Sequence, residues 1–414
     1  MIPPMDRKEV TAWIRDQFPN QPVEEHDPSA GIPLQVVSYG AQEVEAVLDV
    51  LLSTWVTMGK EVAAFEEEWA SWCGADQAVL CNSGSSANLL ALAALQHTGR
   101  LSPGDEILVP AVAWSTSLFP VAQLGFVPVL VDVDPASLCL TPEIVASARG
   151  PRTRGVVAVH LLGHPVASRQ IAEQGLVVLD DACAAPGAQR DGEMAGTGGA
   201  VGTHSFFFSH HISTIEGGAL VMRDEELADA ARSLRAHGWI REMRSGAQLA
   251  AARPDIDPRF HFSSVGWNLR PTEITGAMGR CQLRRLDEWL DRRRLNHSLW
   301  CERLGRFSSW LQVFPEEVGT RHAAFAFPML LAEGLDRASL MAHLESRGIE
   351  TRPISGSNLA RQPAFQRIPS ARVHGSLSVA DAVHTRGLFT GNSHAFHEGH
   401  GALLEHALED WNHG

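Results

Sequence analysis

The 414-residue chain is expected to fold as an α/β protein. Its mostly parallel central sheet lies between helices, and a smaller C-terminal α+β domain follows. Two observations predict this. Short apolar runs alternate with helical patterns from Gln77 to Leu179, which is the signature of repeated β-α-β units. From about Cys281 the pattern changes to long, charged amphipathic helices. The expected division is an N-terminal arm over 1–35, a large domain over 36–280 and a small domain over 281–414.

Taken in order, the arm is polar and Pro-containing, with one short helix near Arg7–Phe18. Helical spacing of Val44, Val47, Leu48, Leu51 and Leu52 predicts a helix over Gln42–Leu52. Val62, Phe65, Trp69 and Trp72 predict another over Lys60–Cys73. Strands follow at Gln77–Leu80, Glu106–Val109, Pro128–Val133, Gly155–His160 and Leu176–Leu179. Such short apolar runs suit strands covered on both faces. Ala87–Gln96 and Leu118–Leu124 supply helices between them. Downstream come a helix over Gln282–Glu302, a strand over Ala323–Leu331 and a helix over Asp336–Arg347. The chain contains no internal repeat.

Hydrophobic residues make up 44% of the chain and charged ones 20%, an ordinary globular composition. The net charge of −14 argues against nucleic acid or an anionic membrane surface as the main partner. No apolar run approaches the roughly 18–20 residues that cross a bilayer, and the N-terminus lacks the apolar stretch of a signal peptide. A cytoplasmic enzyme is expected. The six cysteines form no Cys-x-x-Cys pair and read as reduced structural thiols. His394, His397, His400, His406 and His413 lack compact carboxylate or cysteine partners, so they read as a solvated face and no metal site is expected.

Ligands of parallel α/β sheets collect at the C-terminal ends of strands. Polar or turn-forming clusters stand at these ends. Cys81-Asn-Ser-Gly-Ser-Ser-Ala-Asn88 opens a helix, where small residues and backbone N–H groups can hold a phosphate, with Gly84 and Ser85 nearest. A plain N-cap turn explains that segment equally well. Trp114 follows the next strand and could stack on a flat ring, although read alone it is more often a core residue. Asp181 ends a third run, where a buried carboxylate needs a cation; a helix cap or surface carboxylate is the alternative. Last comes Ser205-Phe-Phe-Phe-Ser-His-His-Ile-Ser-Thr-Ile-Glu-Gly-Gly218.

Together these segments resemble the sugar aminotransferase/dehydratase family of fold-type-I pyridoxal phosphate (PLP) enzymes, over about 35–410. They are most similar to the nucleotide-4-keto-6-deoxysugar 3-dehydratases of the colitose-pathway type. Thr57-Met-Gly-Lys-Glu-Val62, Val131-Asp-Val-Asp134, Asn268-Leu-Arg-Pro-Thr-Glu273 and Asn358-Leu-Ala-Arg-Gln-Pro363 add to the resemblance. It implies that Gly84, Ser85 and Ser205 hold the cofactor phosphate, Trp114 stacks on the ring and Asp181 faces its nitrogen. It also implies that Asn268 reaches into the partner's site of a homodimer. Arg270 could instead belong to the substrate pocket.

His210 stands where family aminotransferases carry the cofactor lysine. Imidazole cannot form the stable Schiff base that a lysine amine makes. The cofactor is therefore expected to be held without a covalent bond and to work as pyridoxamine phosphate (PMP), restored by L-glutamate. His210 is the expected base, an imidazole near neutrality being suited to take and give a proton; His211 is its neighbour. The expected reaction removes the C3 hydroxyl of a nucleotide-linked 4-keto-6-deoxyhexose, with GDP favoured as the nucleotide. Ile240–Phe260 holds no cysteine, whereas relatives that use an iron–sulfur cluster carry several there. Ala184 departs from the family, which places a polar residue at that point. A sugar aminotransferase and a catalytically silent scaffold are the competing readings.

Overall fold

The computed structural model describes residues 6–411. The first five residues of the expected arm and His413 lie outside them. Eight strands form the large sheet, in the order Gln77–Cys81, Gly218–Met222, Val201–Ser205, Val177–Asp181, Thr153–Val159, Glu106–Pro110, Val127–Val131 and Arg372–Val373. Gly218–Met222 is antiparallel to both its neighbours; every other pair is parallel. This is the expected α/β arrangement, a mostly parallel central sheet between helices. Gln77–Cys81, Glu106–Pro110 and Val201–Ser205 are buried at every position. Helices cover both faces, so burial runs unbroken along these strands rather than alternating, and it takes in polar side chains such as Thr203, His204 and Ser205.

A second, antiparallel sheet joins Leu311–Val313, Ala326–Leu331, Gly387–Gly391 and Thr351–Pro353. It has its own core around Trp300, Phe327, Leu344 and Leu404. The helix Glu273–Leu304 runs unbroken across position 280/281, and Arg372–Val373 returns to pair with the large sheet.

This helix starts nine residues before the expected Gln282. Its first turns carry Gly276 and Gly279, which read as helix breakers, yet both are places of close approach. A Cβ on Gly276 would lie 2.4 Å from the Glu61 carbonyl carbon, and one on Gly279 would strike the Phe65 ring. At the helix start, the buried Glu273 carboxylate accepts from the N–H groups of Gly59 at 2.7 Å, Glu61 at 2.7 Å and Val62 at 3.2 Å. It thereby satisfies the orphan donors that open the Lys60–Cys73 helix.

Two sequence expectations are overturned. The histidine tail is not one solvated face: His397 and His406 are exposed, but His394 and His400 are buried. His394 stacks on Trp289 with ring centroids 4.2 Å apart, and His400 stacks on Phe396 at 4.4 Å. A neutral imidazole fills an apolar seam as a flat ring. The strand expected from Ala323 begins at Ala326, because the three preceding residues form a turn against the Leu162–Gly163 segment. No helix among the described residues is long and apolar enough to cross a membrane.

Candidate active site

The parallel strands all deliver their C-terminal ends to one edge of the sheet. Gly218 lies opposite both Cys81 and Ser205 there, and Asp181 lies between Val159 and Thr203. Ser83 caps the helix Gly84–His97, its Oγ accepting from Ser86 N–H at 3.1 Å. Cap and cradle are thus the same turn. A Cβ on Gly84 would lie 2.5 Å from Ser205 Cβ, and one on Gly218 would lie 2.4 Å from the Ser83 carbonyl. Only glycine lets these three segments close up, which leaves the N-terminal amides of a 14-residue helix beside the Ser205 hydroxyl.

Asp181 is 5% exposed. Its Oδ2 accepts from Asn88 Nδ2 at 2.9 Å and Ser117 Oγ at 2.8 Å, and its Oδ1 from Cys183 N–H at 3.2 Å. All these donors are neutral. A buried carboxylate held this way still lacks the positive partner that its burial calls for. The protonated ring nitrogen of a pyridine cofactor is such a partner, so the residues present fit PLP.

Trp114, read alone as a core residue, is instead 61% exposed. It stands at the N-cap of the helix Ser115–Gln123, three residues before Ser117. Ser85 is exposed at the same edge. Asn268 is exposed as well and accepts from Arg270 Nε at 3.0 Å. Its neighbour Leu269 accepts from Asn82 N–H at 2.9 Å, which lays this segment beside the cradle.

The loop after Ser205 presents His210. Its ring rests against Phe325, with centroids 5.1 Å apart, and Phe207 at 6.1 Å. Nδ1 is buried without a partner. Burial, and then the Arg293 guanidinium, push its pKa down to about 4. His211 points elsewhere, donating through Nε2 to the Ala323 carbonyl at 2.9 Å; burial holds its pKa well below the usual value.

Direct contacts therefore join Gly84 with Ser205 and link Asp181 to the cradle helix. Asn88, Ser117 and Thr203, which fix Asp181, carried no assignment in the sequence reading. Their trace was faint: Asn88 is a polar side chain one turn into an otherwise apolar helix. Next to Asp181, Asp180 belongs to the fold. Burial opposes its charge, but His160 Nε2 at 2.5 Å, Ser168 Oγ at 2.5 Å and the amides of Gly196 and Gly198 hold its pKa low.

The profile of the DegT/DnrJ/EryC1/StrS aminotransferase family matches residues 38–400. A GDP-4-keto-6-deoxy-D-mannose 3-dehydratase of Yersinia pseudotuberculosis is 36% identical, covering 87% of this chain and 93% of its own. A dTDP-4-dehydro-2,6-dideoxy-D-glucose 3-dehydratase of Saccharopolyspora spinosa is 35% identical over 84% of this chain and 79% of its own. A crystal structure of GDP-4-keto-6-deoxymannose-3-dehydratase with a trapped PLP–glutamate geminal diamine superimposes with a TM-score of 0.84. It is 34% identical and covers 91% of this chain and all of its own.

Proposed function

The chain belongs to the DegT/DnrJ/EryC1/StrS aminotransferase family, and from that premise we propose a PLP/PMP-dependent 3-dehydratase of a nucleotide-linked 4-keto-6-deoxyhexose. One feature supports the reading: by resemblance His210 stands where the family's lysine would, on the loop that follows Ser205. The cofactor, when bound, supplies the amine that engages the C4 ketone and the electron sink that drives loss of the C3 hydroxyl.

The residues supply the rest. Gly84, Ser85 and Ser205 hold the phosphate at the helix N-terminus. Asp181 keeps the ring nitrogen protonated, and Trp114 covers the ring. Contrary to the expected value near neutrality, burial and then Arg293 lower the His210 pKa to about 4, so it is unprotonated at pH 7 and, as a weaker base than expected, is proposed to accept a proton from the C4′ carbon. It then donates that proton to the departing C3 oxygen. L-Glutamate restores the amine, in keeping with the PLP–glutamate adduct of the superimposed dehydratase. GDP is the proposed nucleotide, because the match covers 93% of the GDP-sugar enzyme and 79% of the dTDP-sugar one.

The proposal includes a cytoplasmic homodimer with shared sites. Trp55, Phe208 and Ile215 are each more than half exposed, and an apolar surface of this kind suits a second copy. Asn268, exposed on the segment beside the cradle, is the residue proposed to reach the partner's site. The arm, large domain and small domain over 1–35, 36–280 and 281–414 complete the proposal, with Glu273–Leu304 as the continuous helix between the last two.

Mass spectrometry tests the reading, using GDP-, CDP- and dTDP-4-keto-6-deoxyhexoses with PLP and L-glutamate. A sugar lighter by one oxygen, with 2-oxoglutarate and ammonia formed, is expected. An amine in place of the ketone would mean an aminotransferase instead. Failure to retain any cofactor would favour the silent scaffold.

A further inference from the structure

Residues 322–325 form a turn that is fixed from every side. Ala323 N–H donates to the Gly163 carbonyl at 3.0 Å and Phe325 N–H to the Leu162 carbonyl at 3.1 Å. Ala324 N–H donates to His322 Nδ1 at 2.6 Å. The Ala323 carbonyl accepts from His211 Nε2, the Ala324 carbonyl from Asn392 Nδ2 at 3.0 Å, and the Phe325 carbonyl from an Arg293 Nη at 3.2 Å. Ala324 has φ +48° and Leu162 has φ +51°, conformations that non-glycine residues hold only when their surroundings over-determine them. This left-handed turn aims the half-buried Phe325 ring at His210.

Arg293 comes from the long helix and is 4% exposed. Besides Phe325 it donates to the Asn392 carbonyl; no carboxylate pairs with it among the described residues, and its Nε is unpartnered. Asn392 Nδ2 in turn donates to the Arg293 carbonyl at 2.9 Å. A buried guanidinium without a counter-ion is costly; burial alone lowers its pKa to about 10.

We propose that Arg293 is a positioning residue for His210, acting by clamping the Ala324 turn so that Phe325 backs the imidazole. The proposal rests on His210 being the base. With Nδ1 walled in, Nε2 is the nitrogen left to meet the C4′ carbon. The charged and titratable groups facing His210 are Arg293 from the long helix and His211 on its own loop; His322 in turn faces His211, and His394 faces Arg293. Burial first, and then the fixed positive charge of Arg293, keep the imidazole unprotonated.

Full-length chain labelled with ¹³C-histidine tests this by NMR titration, with the His210 signal assigned from His210→Asn. Arg293→Met should raise the His210 midpoint by about one pH unit and move the acid limb of kcat with it, while Arg293→Lys restores both. A folded Arg293→Met with midpoint and limb unmoved would overturn the proposal. Phe325→Leu tests the other end of the clamp, whether or not Arg293→Met folds. A fall in kcat of about tenfold with KM for L-glutamate changed less than about twofold is expected, and an unchanged kcat overturns the proposal. Retained dehydration in His210→Asn would overturn the base assignment itself. Loss in His210→Asn beside unmoved Arg293 and Phe325 variants overturns the positioning role alone.

Discussion

Asn88 Nδ2 donates to Asp181 Oδ2 at 2.9 Å while Asn88 Oδ1 accepts from Thr203 Oγ1 at 2.6 Å. The helix that opens at the phosphate cradle thus also holds the carboxylate proposed to face the cofactor ring. In the proposed site, one rigid element serves both the phosphate and the ring nitrogen. Asn88→Leu would leave a buried hydroxyl and a carboxylate each short of a partner, at about 1–3 kcal/mol. A loss of about tenfold or more in PLP affinity is expected by fluorescence titration, with Ser117→Ala giving a smaller effect in the same direction.

Gly84→Ala places a methyl group 2.5 Å from Ser205 Cβ. Neither the strand end nor the helix start can retreat, because Gly218 seals the other side. We expect cofactor binding to fall by about tenfold or more at a modest cost in stability, since overpacking one such contact costs about 1–3 kcal/mol. Ser205→Gly by itself, which removes a proposed phosphate ligand, should weaken PLP binding in the same direction. Equilibrium dialysis of PLP measures both.

His210→Asn should keep the fold and the bound cofactor and lose turnover by about 10²–10⁴-fold, the usual weight of a general base. His210→Lys should retain cofactor covalently after borohydride reduction, which the parent chain should not. Intact-protein mass separates the two cases.

Acid should destabilise this protein well above the carboxylate range. His164, His204 and His394 have pKa values pushed down to about 3, and His297 to about 4, by burial first. Each is neutral when folded and takes up a proton near 6.5 when unfolded. Below that pH the unfolded chain binds more protons, so stability falls as pH drops from 6.5 toward 3–4. The slope is up to about 1.4 kcal/mol per pH unit for each group. Nε2 of His164, His297 and His322 are all buried and unpartnered, with the rings of His297 and His322 stacked at 4.6 Å. Urea midpoints at pH 7.5, 6 and 5 should decline steadily, and His164→Gln should flatten the decline.

Local pattern carried much of the architecture. The Lys60–Cys73 helix and the five strands expected between Gln77 and Leu179 stand within three residues of their expected ends, because short apolar runs between turns leave few other ways to be buried. The start of Glu273–Leu304 did not show. Gly276 and Gly279 weaken a helix in isolation, and only the Lys60–Cys73 helix packed against them explains their presence. His394 and His400 misread for the same reason. A histidine's burial depends on which distant ring it meets, here Trp289 for one and Phe396 for the other.

What the sequence by itself determined is the kind of chemistry: glycines and serines at a helix start, a carboxylate at a strand end, and His210 where the family's lysine would stand. These are local, covalently adjacent features, and their spacing survives in the linear chain. Tertiary structure alone decided how they work together. It brought Asn88 and Ser117 to Asp181, set Ser205 against Gly84, left Trp114 open, and placed Phe325 and Arg293 behind His210 from more than 80 residues away. Such contacts are bought by burying one apolar core across the whole chain, so no window of sequence holds the information that specifies them.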